Sequence, residues 1–362
     1  MEFNDVRLRY EALQSSIDSA VAEVLRSGRY ILARHVQSFE EDFAKYCGTA
    51  NGIGVASGTD ALTIGLRAIG VEAGDDVLVP AVSAPATAMA VALTGARPVF
   101  VDIQPDSFNM DPAVAFERKT SRARAVVPVH LYGMPAQLKK LSGIGLPVLE
   151  DAAQAHGSEA NWGKCGSFGV AAAFSFYPTK NLGTYGDGGI IVTSDSGVAE
   201  RARLLRNYGQ TENYSSKVIG QNSRLDELHA AILRAQLRKL DEWNARRRKI
   251  ASVYREQFKD LPVGLQMETG KSNYHLFVVT TANRDRLRAH LAELNVPSLI
   301  HYPFPLHRQK AFEEFGPAPC PNADLFCSRV LSLPIHAHLS DVDVGRVVDG
   351  VTSFFRASGS NK

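Results

Sequence analysis

The sequence predicts an α/β fold: a mostly parallel sheet flanked by helices, followed by a smaller α+β domain. Three observations predict it. From about residue 52 to 194, short apolar runs alternate with helical ones. Seven of these runs have strand length and turn-rich borders: 53–57, 77–80, 98–102, 125–130, 147–150, 171–176 and 189–193. After about residue 246 the alternation stops and a different mixture of strands and helices follows.

Composition permits such a fold and narrows its partners. A chain of 362 residues can form one large unit or a large domain with a smaller one. Apolar residues are 45% and charged residues 22%, ordinary for a soluble globular protein. The net charge of +2 supplies no strong field for nucleic acid or membrane, so neither is an expected partner, and an anionic ligand must be held by local groups. Cys47, Cys165, Cys320 and Cys327 form no C-x-x-C pair, so no metal site is expected and a reducing cytoplasm is. The first ten residues carry charges and lack the apolar core of a secretory signal. Residues 77–96 are uncharged and of bilayer length, but Pro80, Ser83, Pro85, Thr87 and Thr94 make them a strand and a small-residue helix. The run Arg246-Arg247-Arg248-Lys249 reads as a solvated helix face.

The elements follow in order. A helix over 10–27 ends at Gly28 and another over 38–46 ends at Gly48, both plausible C-caps. Helices over 60–69 and 86–93 connect the early strands. Residues 226–258 read as one long helical stretch, rich in Leu, Arg and Lys. Strands over 274–280 and 298–302 and helices over 284–294 and 341–355 complete the chain. The expected division is a large domain over 1–245 and a small one over 246–362. In a parallel sheet, ligand-binding groups sit at strand C-terminal ends and helix N-termini.

Four segments occupy such positions. Ser57-Gly58-Thr59-Asp60-Ala61-Leu62 joins a strand to a helix, whose free N–H groups and dipole suit a phosphate. Taken alone it reads first as a helix N-capped by Thr59. Glu150-Asp151 ends a very apolar strand; Asp151 there is either a ligand-edge carboxylate or a helix cap, and His156 downstream reads as a packed histidine. Phe174-Ser175-Phe176-Tyr177-Pro178-Thr179-Lys180 places a lysine after a buried strand among aromatics. Desolvation there lowers an amine's pKa and suits a Schiff-base lysine; an exposed loop lysine is the competing reading. Tyr185-Gly186-Asp187-Gly188-Gly189 lets backbone approach a ligand or is an ordinary turn. Two decoys fail on spacing. Residues 157–164 have one residue too many for a P-loop, with Cys165 where Ser or Thr belongs, and the glycines at 183, 186, 188 and 189 precede a strand, not a helix.

Taken together, these segments resemble the DegT/DnrJ/StrS family of sugar aminotransferases. The resemblance runs from Ser27-Gly28-Arg29-Tyr30-Ile31 and Phe39-Glu40-Glu41-Asp42-Phe43-Ala44, through Pro98-Val99-Phe100-Val101-Asp102 and His130-Leu131-Tyr132-Gly133, to Gly220-Gln221-Asn222-Ser223-Arg224-Leu225-Asp226 and His301-Tyr302-Pro303. It implies fold-type I architecture, with a mostly parallel seven-stranded sheet and a small C-terminal domain. It also implies pyridoxal 5′-phosphate, with pyridoxamine 5′-phosphate as the form that carries the amino group. Lys180 would hold the cofactor and move protons. Asp151 would pair with the pyridine nitrogen, Gln154 would lie near the cofactor hydroxyl, and Gly58, Thr59 and Ser175 would hold the phosphate. Asn222 would reach the phosphate of the neighbouring subunit, making a homodimer with shared active sites.

The resemblance further implies a nucleotide-linked keto sugar as substrate and glutamate as amino donor. Tyr185, Arg224, His301 and Tyr302 are candidates for substrate contact, each with packing or a surface pair as the plainer role. The compact chain and Ile300-His301-Tyr302-Pro303 resemble enzymes aminating C3 of dTDP-linked 6-deoxy sugars, as found in lipopolysaccharide or antibiotic biosynthesis. Amination at C4, a cyclitol ketone substrate and a sugar dehydratase are the alternatives. Family dehydratases carry histidine where this chain has Lys180, and a non-catalytic regulator or scaffold would need neither Lys180 nor Asp151. One position departs from the family pattern: Ala84 stands where an aromatic residue usually stacks on the pyridine ring.

Overall fold

The computed structural model describes residues 1–212 and 214–359. Two helices, α1 (Arg7–Ser27) and α2 (Arg34–Cys47), precede the sheet. They end where expected, on Gly28 and Gly48 at φ 64° and 83°, a left-handed turn that glycine adopts without a Cβ clash. The sheet strands are β1 (Asn51–Val55), β2 (Asp76–Pro80), β3 (Arg97–Val101), β4 (Ala123–Val126), β5 (Leu149–Asp151), β6 (Ala171–Ser175) and β7 (Gly189–Thr193). Helices α3 (Gly58–Ala68), α4 (Pro85–Leu93), α5 (Pro112–Glu117) and α6 (Ser196–Leu205) lie among them.

The strands form a four-stranded segment, β1-β7-β6-β5, and a three-stranded one, β4-β2-β3. Parallel bridges from Val126 to Val148 and from Val129 to Asp151 connect β4 to β5. Only β7 runs against its neighbours; the other pairings are parallel. Helices therefore cover the sheet, and its strands are buried almost throughout, which explains their unbroken apolar runs. The small side chains Ala171 and Ala173 in β6 let α3 pack closely; a Cβ on Gly65 of α3 would stand 3.1 Å from Leu149 Cδ1.

The C-terminal part begins differently from the sequence expectation. Residues 226–258 are two helices, α7 (Glu227–Leu237) and α8 (Leu240–Phe258), separated at Arg238 and Lys239. Beyond them, β8 (Gly264–Leu265), β9 (Phe277–Thr280) and β10 (Val330–Leu333) form an antiparallel sheet with α9 (Arg284–Glu293), α10 (Pro321–Arg329) and α11 (Asp341–Gly359). The strand expected over 274–280 starts only at Phe277, because Tyr274 has φ 45°, outside the β region. The strand expected over 298–302 is a single bridge, Leu299 to Ser332, bracketed by Pro297 and Pro303, which lack the N–H that a ladder needs.

Ile250, Tyr254, Phe258, Phe277, Leu331, Val347 and Val351 form a core under this sheet. Phe312, Cys320, Phe326 and Cys327 instead join the core of the main sheet with Phe100 and Tyr132. Asp102 ties the two regions together: its carboxylate accepts from Asn322 N and Ala323 N at the start of α10. The four cysteines are buried thiols. Among the described residues, no helix is long and apolar enough to cross a membrane, and no cluster of His, Cys, Asp and Glu is arranged to hold a metal.

Candidate active site

A cavity of about 230 Å³ opens where β1, β5 and β6 end. Each wall is a turn that leaves a strand. Ser57, Gly58 and Thr59 follow β1, Asp151, Ala153 and Gln154 follow or end β5, and Ser175, Tyr177 and Lys180 follow β6. Ser83, Ala84 and Ala86 form the wall leading into α4, and Asp187 closes the rim.

The helix wall is a cradle of backbone donors. The cap of α3 is Ser57, not Thr59: Ser57 Oγ accepts from Asp60 N at 3.1 Å. That leaves the N–H groups of the first helical residues, Gly58 and Thr59, on the cavity side with no intrahelical acceptor. Gly58 is required for the approach, since a Cβ there would lie 2.6 Å from Ser175 Cβ. An anion in this corner meets both N–H groups and the positive end of the helix.

Asp151 and Lys180 share the same cavity. Asp151 is not a helix cap. Its Oδ2 accepts from Thr87 Oγ1 at 2.7 Å and its Oδ1 from Ala153 N at 3.2 Å. Burial pushes its carboxyl above the usual range, opposed by those two hydrogen bonds and then by the Lys180 charge. Lys180 is half-buried, and desolvation lowers its ammonium to about 8 against the opposing pull of Asp151. The exposed-loop reading of Lys180 therefore fails. Gln154 is held from both ends: its Oε1 accepts from Tyr132 N at 2.7 Å, and its Nε2 donates to Tyr302 OH at 3.3 Å.

The other sequence candidates divide. Tyr302 reaches the site through Gln154, and burial raises its phenol pKa. His301 lies beside it, with Nδ1 2.9 Å from Ser332 Oγ and its carbonyl accepting from Tyr132 OH. Burial and then the Lys180 charge lower its imidazolium to about 4. Tyr185 packs edge-on against Tyr10 at 6.2 Å. Arg224 donates to Asn207 Oδ1 at 2.9 Å and lies over the Tyr208 ring. Asn222 is exposed, its backbone bridged to Asn207. None of these last three lines the cavity. His156 is the packed histidine expected, buried against Phe43, Phe174 and Phe176. Sequence reasoning missed the role of Thr87 in the site, and it assigned no role to Ser57, Tyr177 or Asp187, although each stands in a segment it singled out. Of these, Ser57 carried a local signal, a small hydroxyl residue three positions before Asp60.

Comparison with known proteins decides what this cavity belongs to. A sequence model of the DegT/DnrJ/EryC1/StrS aminotransferase family matches residues 11–352. The chain belongs to this aminotransferase family. Among its relatives is a dTDP-3-amino-3,4,6-trideoxy-alpha-D-glucose transaminase of Streptomyces venezuelae, 45% identical over 360 residues, or 96% of this chain and 94% of the relative. The crystal structure of S. venezuelae DesV in complex with a ketimine intermediate matches with a TM-score of 0.95 at 44% identity, covering 98% of both chains. A Bacillus subtilis structure, ntda with bound cofactor PMP, matches with a TM-score of 0.89 at 28% identity, covering 95% of this chain and 82% of that one.

Aminotransferases of this family depend on pyridoxal phosphate. The cavity of this aminotransferase fits that group on its own chemistry. It offers an amine with depressed pKa, a buried carboxylate whose ionisation a cationic ring nitrogen would favour, and an N–H corner in which Gly58 leaves room for a phosphate.

Proposed function

We propose that this aminotransferase converts a nucleotide-linked keto sugar to the amino sugar, at C3 of a dTDP-linked 6-deoxyhexose, with glutamate as donor. The observation that carries the reading is the meeting of Lys180 and Asp151 in one cavity beside the open N-terminus of α3. The likeness to a relative named for a dTDP-3-amino sugar supports the choice of C3.

In this reading Lys180 holds pyridoxal phosphate, Gly58, Thr59 and Ser175 hold its phosphate, Asp151 faces its ring nitrogen, and Gln154 lies beside its hydroxyl. The bound cofactor supplies an electron sink for the pair left on carbon when a proton is removed. Lys180 Nζ moves that proton. At a pKa of about 8, roughly a tenth of this amine is neutral at pH 7, against about one part in three thousand for an ordinary lysine. The same group can therefore bind covalently, accept a proton and return it at neutral pH. Asp151 keeps the ring nitrogen protonated, and Thr87 and Ala153 hold the carboxylate in place. Tyr185, Arg224, His301 and Tyr302 contact the sugar nucleotide.

A screen of 3-keto and 4-keto nucleotide sugars with glutamate, read by mass spectrometry, tests this. Amino sugar is expected from the 3-keto compound. Product from the 4-keto compound alone, or from a cyclitol ketone alone, overturns the assignment.

The reading includes a homodimer in which Asn222 completes the partner's phosphate site. Asn222 is exposed and lies near apolar side chains that face solvent, among them Ile219 at 87% exposure and Tyr208. Exposed apolar side chains beside Asn222 are what contact with a second chain would cover, which supports the reading. Lys180→Ala and Asn222→Asp should each be weak alone. After subunit exchange, heterodimers carry both defects in one site and none in the other, so activity returns to a fraction of wild type. No recovery despite measured exchange shows that each chain serves only itself.

A further inference from the structure

We propose that Arg9 on α1 is a positioning residue for Lys180, and that the first ten residues act as a clamp on the turn that carries this lysine. The proposal rests on Lys180 as the cofactor-holding amine. The turn over 178–183 leaves β6 and folds on itself through Lys180 N to Tyr177 O at 2.9 Å and Thr184 N to Phe176 O at 2.8 Å. These bonds leave its own carbonyls without a ladder partner, and residues remote in sequence take them. Arg9 Nη2 donates to Lys180 O at 2.8 Å, and Arg9 Nη1 donates to Gly183 O at 3.2 Å and Pro178 O at 3.3 Å. Asn4 Nδ2 donates to Thr179 O at 3.1 Å.

The arrangement is built for this contact. Arg9 is 6% exposed, and it donates hydrogen bonds to carbonyls of the turn, not to a carboxylate. Its other neighbour is the face of Trp243, with the guanidinium 5.6 Å from the ring centroid. Desolvation lowers its pKa only to about 10, so it remains charged at neutral pH. A buried charge held by carbonyl dipoles and a ring face, with no carboxylate, is costly to place there, which argues against simple packing; a methionine would fill the space without the cost. The planar fork matters, because one guanidinium bridges the turn's first and last carbonyls as well as that of Lys180 itself. Gly183 admits it: a Cβ there would stand 2.6 Å from Tyr177 O and 3.1 Å from Arg9 Nη1. Arg9 thus fixes the backbone at Lys180 through its carbonyl and does not bind the Lys180 amine.

Arg9→Met, Arg9→Lys and Asn4→Ala in the full-length holoenzyme test the clamp. Arg9→Met should lower kcat at least tenfold with KM for both substrates within twofold, since the Arg9 hydrogen bonds go to the turn's carbonyls and not to a proposed sugar or donor contact. Arg9→Lys should recover part of the loss, because it keeps the charge but not the fork. A second readout needs no turnover. In the full chain before cofactor is added, acetylation of the Lys180 amine across pH, read by peptide mass spectrometry, should have its midpoint near 8 in the parent. In Arg9→Met that midpoint should move up toward the ordinary lysine value, because a loosened turn lets water reach Nζ.

An Arg9→Met protein that folds with unchanged kcat and unchanged midpoint overturns the clamp. Should Arg9→Met fail to fold, Asn4→Ala decides: a smaller shift of the midpoint in the same direction supports it, and no shift overturns it. Retained turnover in Lys180→Ala sinks the reading of the site itself. Lost turnover there, with an indifferent Arg9→Met, sinks this proposal alone.

Discussion

Glu150 and Asp151 are adjacent carboxylates on one strand, and they live in opposite surroundings. Alternation along β5 sends them to opposite faces of the sheet. Glu150 is fully buried and its oxygens are saturated. Oε1 accepts from Phe168 N and Gly169 N, each at 2.8 Å, and Oε2 accepts from Gly166 N and meets His130 Nε2, again at 2.8 Å. Because His130 Nδ1 accepts from Ala136 N, its Nε2 carries the hydrogen and donates to Glu150. Asp151 is nearly as buried but has only two donors, Thr87 and Ala153, and its remaining lone pairs face the cavity. Equal burial therefore does not mean equal role. A carboxylate with every acceptor site filled organises the fold, and one with sites left over toward a cavity is placed for a ligand.

Substitutions that keep shape but remove charge should separate the two. Glu150→Gln turns an acceptor into an NH₂ that must face backbone N–H groups. It should cost about 3 kcal/mol of unfolding free energy by denaturant titration, while each folded molecule turns over at close to the parent rate. Unchanged stability would show that the four donors are satisfied some other way.

Asp151→Asn should do the reverse: turnover falls well over tenfold, more than about 1.4 kcal/mol in barrier. Its effect on the cofactor-free chain has a definite sign. The folded-state pKa of Asp151 is raised, so its contribution to stability is complete below the ordinary carboxylate range and is lost as pH rises through the folded value. Without cofactor, Asp151→Asn should melt higher than the parent at pH 7, and the gap should close as pH falls. A lower melting temperature at pH 7 would mean that Asp151 is already stabilised by a partner in the empty site.

Thr87→Val sharpens the comparison with a smaller effect. It removes one of the two donors to Asp151 and leaves the Ser83 hydroxyl, 2.8 Å from Thr87 Oγ1, without that partner. The carboxylate then stays near the cavity but is less firmly aimed. We expect about a fivefold loss in turnover, roughly 1 kcal/mol, with cofactor still bound. A loss as large as that of Asp151→Asn would make Thr87 a reacting group and not a support.

Local periodicity placed Lys180, Asp151 and the Gly58 turn after strands, whose ends the sheet brings together, while Ser175 and Gln154 were legible only through the family resemblance. What it hid depends on contacts that periodicity cannot carry. Thr87 lies 64 residues from Asp151, and Arg9 lies 171 residues from Lys180. The break between α7 and α8 has no proline or glycine to announce it, only Lys239 at φ −106°. The single bridge at Leu299 looks like a strand in composition, and the flanking prolines were the signal against it. Asn222 and Arg224 read as site residues in the sequence, yet a single chain leaves both outside the cavity.

The smallest expected effect concerns Ala84, the residue on the cavity wall opposite this logic of strand ends. It is the N-cap position of α4, at φ −59° and ψ 145°, and its methyl faces the same cavity as Asp151 and Lys180. The backbone there is extended and places no demand for a small residue. An aromatic ring at this point would cover one face of a flat ligand in the cavity. Offset stacking contributes about 1 kcal/mol beyond area, so Ala84→Tyr should slow cofactor loss about fivefold during dialysis at fixed pH. Turnover should change less, because neither the proton-moving amine nor the carboxylate is altered. Faster cofactor loss in Ala84→Tyr would show that the space beside Ala84 is already filled in the working enzyme, by the substrate or by the partner chain. The small residue would then belong to recognition.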